Sequence, residues 1–97
     1  MGIFDNIKQI QSWKKSKALL LKAKSFISIN SLDAAQLQVL KNFDDFLEYN
    51  ELGLAFDQLV YLSEDINFPT EFWSEMLLAA KEMKLEDEVK RCESYLE

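Results

Sequence analysis

The chain has 97 residues, 48% of them hydrophobic and 12% aromatic, with a net charge of −6, one cysteine and no histidine. A chain of that length forms one domain with a modest core, and its apolar content is too high for a disordered segment. The missing histidine removes catalytic triads and zinc sites built on it and the usual general base near neutral pH; a lone cysteine allows no internal disulfide.

Only two glycines and one proline interrupt a sequence rich in Leu, Lys, Glu and Ala. That balance favours long helices with short connections. The expected fold is therefore all-α, a single-domain helical bundle of four or five helices. Charge divides the chain. Residues 1–30 hold six lysines against Asp5, whereas residues 31–97 hold sixteen acids against five basic residues. One domain over 1–97 is expected, lysine-rich over residues 1–30 and continuing as an acidic helical body over residues 31–97.

The longest apolar stretch, Met76 to Ala80, is far shorter than the roughly 20 residues that cross a bilayer, so no membrane partner is expected. The opening MGIFDNIKQIQSW lacks a basic leader, apolar region and cleavage site, which predicts no secretory signal and a cytoplasmic setting. Asn6 stands where a myristoylation motif prefers Ser or Thr.

In chain order, Ile3, Ile7 and Ile10 share one helical face, with Phe4 beside them, Asp5 near the helix start and Trp13 continuing the face. The KKSK run at 14–17 is either the solvent side of one long helix or a break before a second helix over 18–27. Leu20, Ile27 and the stem of Lys24 share a face there, with Leu21 adjacent. Lys14, Lys15, Lys17, Lys22 and Lys24 offer contacts to an anionic partner or, equally, to the acidic helices of the chain itself. SINS, 28–31, reads as a loop in which Asn30 or Ser31 caps the next helix.

From Ala34 to Tyr49 the pattern is helical, with Leu37, Leu40, Phe43 and Leu47 inward and Val39 and Phe46 broadening the stripe. Asn50 marks the stop, and a further helix is expected from Glu51. Gly53 falls in its first turn, where it costs about 1 kcal/mol against alanine and points to a close approach or a linker conformation. Leu52, Phe56, Leu59, Val60 and Ser63 form the inner face, leaving Asp57 and Tyr61 accessible. Phe68 before Pro69 is extended, Pro69 or Thr70 starts the next helix, and Phe68 packs on Phe72 or Trp73 as a hydrophobic staple. Phe72, Trp73, Met76, Leu77, Ala80 and Met83 read as core. The last helix carries Leu85, Val89, Cys92 and Leu96 on one stripe, with Glu86, Asp87 and Glu88 in its first turn, and Cys92 reads as a small buried residue. Tyr95 is free to reach a partner or to cover the end of the bundle.

Nothing between Lys41 and Lys81 is basic, while nine acids occupy that window. Asp44 with Glu48, and Glu71 with Glu75, are i,i+4 pairs that repel on an exposed helix unless a cation relieves them. Neither Glu-x-x-His pairs nor a calcium loop is present, so no metal, no cofactor and no catalytic residue is assigned, and the chain is not read as an enzyme. The acids instead suit a positively charged protein partner. Asp44, Asp45, Glu48, Glu51, Asp57 and Tyr61 are the expected partner surface, joined by Tyr49 and Glu64, with tyrosine supplying the desolvated anchor. The alternative is a nucleic-acid-binding or regulatory module using the N-terminal lysines, which the acidic remainder opposes.

The stretch YNELGLAFDQLVYLSEDINFPTEFWSEMLLAAKEMKL, 49–85, resembles the Maf-type immunity proteins of bacterial polymorphic and contact-dependent toxin systems. The matching positions are Glu51, Gly53, Ala55, Leu59, Pro69, Phe72 and Leu85. The resemblance implies a small helical inhibitor that occludes a cognate toxin one to one in the producing cell's cytoplasm, the toxin often being a nuclease with a basic cleft.

Overall fold

A computed structural model describes residues 3–97, with side chains from Ile7 onward. Its order is α1 Ile3–Lys24, a 3₁₀ turn Ile29–Ser31, α2 Ala34–Glu48, α3 Leu52–Ser63, α4 Thr70–Glu82 and α5 Glu86–Tyr95. The fold is an all-α, single-domain bundle of five α-helices, with no strand among the described residues. α2 pairs with α3 and α4 with α5, while α1 lies between the two hairpins, packing mainly on α4 and more lightly on α3. The body measures 47 × 30 × 18 Å.

The KKSK run does not break the first helix, because Ser16 and Leu20 bury their side chains one turn apart while the lysines stay outside. Leu20, Ala23 and Ile27 join the core, but Leu21, Ile7, Ile10 and Trp13 remain substantially exposed. The apolar face that begins α1 therefore lies outside the core. Ile3, Phe4 and Asp5 fall outside the described side chains.

The cap of α2 is neither Asn30 nor Ser31. Those two belong to the 3₁₀ turn, and Asp33 caps the helix through a reciprocal capping box with Gln36: the Gln36 backbone N–H donates to Asp33 Oδ1 at 2.8 Å, and the Asp33 backbone N–H donates to Gln36 Oε1 at 2.9 Å. Such a box satisfies two orphan donors at once. Leu40, Phe43 and Leu47 are buried as expected, while Leu37 is exposed. Its place on the helix is only one turn from Lys41, at the edge of the core-facing arc.

Both hairpins reverse direction by the same device. After α2, the Asn50 N–H bonds Leu47 O at 3.1 Å and the Glu51 N–H bonds Phe46 O at 2.8 Å, with Asn50 at φ 57°. After α4, the Lys84 N–H bonds Lys81 O at 3.1 Å and the Leu85 N–H bonds Ala80 O at 2.9 Å, with Lys84 at φ 60°. These are Schellman stops, each with a left-handed residue that is not glycine. Glu51 is the N-cap of α3, which starts one residue later than expected. Neither a close approach nor a left-handed backbone accounts for Gly53: a Cβ there would meet nothing within 4 Å, and its φ is not positive.

The core centres on Phe43, Phe56, Phe72, Leu20, Leu59, Leu62 and Met76. Phe68 packs on Phe72 with ring centroids 4.2 Å apart, fixing how the chain enters α4 after Pro69, its N-cap. Tyr95 covers the end of the bundle, stacked parallel on Trp73 at 3.9 Å. Cys92 is fully buried, and burial, with Glu88 nearby, pushes its thiol from 9.0 up to about 12. It is a neutral packing group, not a nucleophile. No described helix is long and apolar enough to cross a membrane.

Candidate functional site

The eight residues read from sequence as a partner surface are all exposed, yet they do not form one uniform patch. At 100° per residue, Asp57, Tyr61 and Glu64 fall on one face of α3, with Leu54 beside them. The opposite face of the helix buries Leu52, Phe56, Leu59 and Val60, which fixes the acidic side outward. Tyr61 is 56% exposed and Leu54 47%, giving the carboxylates two apolar neighbours.

Glu51 and Asp57 line a shallow groove of ≈ 740 Å³ with Leu54, Leu85 and Glu88. Sequence alone does not single out Glu88, since three consecutive acids in the first turn of α5 read only as partners of the helix dipole. In the fold, the α4–α5 reversal turns it toward the start of α3. Its Oε2 lies 3.1 Å from Arg91 Nε but is buried and accepts no hydrogen bond there. The groove thus holds two freely solvated carboxylates, Glu51 and Asp57, and a third, Glu88, already ion-paired with Arg91. A guanidinium or ammonium group entering it would meet the free carboxylates of Glu51 and Asp57.

Asp44, Asp45 and Glu48 belong to α2. Asp44 Oδ1 accepts from Lys24 Nζ at 2.9 Å, so its charge is already balanced within the molecule. Two further lysines behave alike: Lys22 Nζ lies 3.3 Å from Glu75, and Lys15 Nζ 3.5 Å from Glu82. Of the two interpretations of the lysine cluster, internal pairing accounts for these three. It also relieves one acid in each of the repelling pairs Asp44/Glu48 and Glu71/Glu75. Tyr49 is 74% exposed as the C-cap of α2, beside the Asn50 turn.

No group of three or more acidic or cysteine side chains is arranged to hold a metal ion among the described residues. Comparison with family models, with curated proteins and with solved structures finds no match to this chain.

Proposed function

We propose that this chain is an immunity-type inhibitor that binds a cognate bacterial toxin domain one to one and occludes it, in the cytoplasm of the cell that makes the toxin. The observation that carries the reading is the pair of exposed carboxylates Glu51 and Asp57 in one groove, continued along α3 by Tyr61 and Glu64. Clustered carboxylates around an apolar anchor suit a basic cleft such as a nuclease offers to phosphate, and they steer encounter as well as holding the complex. The toxin context comes from the resemblance to Maf-type immunity proteins read in the sequence of residues 49–85 alone. Asp45, Glu48 and Tyr49 extend the surface onto α2, and Asp44 contributes less because Lys24 already pairs with it.

The test is a pull-down with tagged protein from the native cell, eluted by a salt gradient and identified by mass spectrometry. The expected result is a basic toxin domain at equal stoichiometry, released by salt, whose activity the protein suppresses. Recovery of no basic protein above background overturns the proposal.

A further inference from the structure

A second cleft, of ≈ 560 Å³, opens on the other side of the hairpin turns, between α1 and the reversals at Asn50 and Lys84. Trp13 stands in its wall and also in that of an adjoining pocket of ≈ 290 Å³ with Ile10, Lys14 and Lys17. We propose that this cleft docks an acidic peptide segment of a partner protein, whose apolar residue seats against Trp13 and Ile10.

Three independent features support the assignment. Ser16 lines the cleft with its side chain fully buried, and its hydroxyl has no hydrogen-bond partner, not even a carbonyl of its own helix. A buried hydroxyl left unpaired is destabilising, and a polar group brought to it as the cleft wall adjusts around a ligand relieves that cost. Trp13 is 41% exposed, in a molecule whose other tryptophan is 3% exposed, and an indole at a cleft mouth is the kind of anchor that interfaces concentrate on. The lysines of α1 also differ in whether they are paired. Lys15, Lys22 and Lys24 each meet a carboxylate of a neighbouring helix, whereas Lys14 and Lys17, beside Trp13, have no carboxylate partner among the described residues; nor does Lys84 across the cleft.

Charge complementarity selects the occupant. A symmetric contact between two copies through this face would bring two sets of unpaired lysines into one interface. Nucleic acid and anionic bilayers are repelled at long range by a chain of net charge −6, and one tryptophan makes no base-stacking platform. A short acidic segment meets the local field of Lys8 and Lys84 in the cleft and of Lys14 and Lys17 beside it, the one carboxylate in the lining, Glu82, being paired with Lys15 at 3.5 Å. The site adjoins the acidic groove across Asn50, Leu52, Gly53 and Leu85 but carries different charged residues, and neither assignment depends on the other.

The experiment selects a phage-displayed library of linear peptides against the full chain and follows binding of the synthesised consensus by tryptophan fluorescence. The expected consensus places Asp or Glu around an aromatic or large aliphatic residue. Its binding shifts the tryptophan emission, a shift lost in Trp13→Phe, where only Trp73 emits, and weakens by about tenfold or more in the double variant Lys14→Glu, Lys17→Glu, whose circular dichroism is unchanged. No enrichment, a consensus without acids, or full affinity in the double variant overturns the proposal. Saturable binding of an oligothymidylate or of phosphatidylglycerol vesicles in place of any peptide, lost in the same variant, reassigns the face to a polyanion. Self-association lost in that variant reassigns it to a second copy.

Discussion

The acidic groove and the Trp13 cleft are neighbours of opposite character. Asn50, Leu52, Gly53 and Leu85 line both, so one ridge built from the two helix reversals separates a wall of Glu51, Asp57 and Glu88 from a wall of Trp13, Lys84 and Ser16. Long-range charge separation in the sequence does not explain this contrast, since three lysines of the cluster are paired internally. What differs is which groups the packing leaves without a partner. On one side these are carboxylates, and on the other they are lysines, an indole and a hydroxyl.

Removing the shared ridge has the largest expected effect. Leu52 is buried and contributes to both clefts, so Leu52→Ala should cost about 3 kcal/mol in urea unfolding and deform the two sites together. Reversing charge on one side separates them. Glu51→Lys with Asp57→Lys should slow association with a basic partner by about tenfold at low salt in stopped-flow mixing, leaving helicity intact. Asp44→Lys should do less, because it reverses one charge rather than two and Asp44, on α2, lies outside the groove lining.

On the other side, Ser16→Ala removes the orphan hydroxyl and improves helix propensity. It should raise stability by about 1 kcal/mol, seen as a higher urea midpoint at unchanged slope. The smallest effects compare the two reversals. Lys84→Gly should stabilise by about 0.5–1 kcal/mol by relieving a left-handed lysine, whereas Asn50→Gly should change stability by about 0.3 kcal/mol or less, asparagine already tolerating that conformation.

The helical stripes are legible wherever burial follows period: Phe43 and Leu47, Phe56 and Leu59, Phe72 and Met76 all reach the core. Boundaries are less legible. Asp33 and Gln36 carry the pattern of a capping box, but the polar SINS run just before them competes for the cap, and the backbone places Ile29–Ser31 in a 3₁₀ turn instead. Asp57, Tyr61 and Glu64 can be placed on one face from spacing alone. Glu88 cannot, because its position beside Glu51 depends on how α5 returns after α4, a tertiary relation that no local pattern encodes. For the same reason the periodicity of Ile7, Ile10 and Trp13 does not reveal that their apolar face stays outside the core.

The paired Schellman stops also bear on the route by which the chain reaches this shape. Each reversal is written in a few adjacent residues, so α2 with α3, and α4 with α5, can close as local units with little loop entropy. The principal contact of α1 is with α4, far along the chain, and waits on both. Docking of α1 is thus the step that closes the longest loop, and Leu20→Ala is expected to slow refolding whereas truncations within either hairpin mainly speed unfolding, as stopped-flow chevron plots would show.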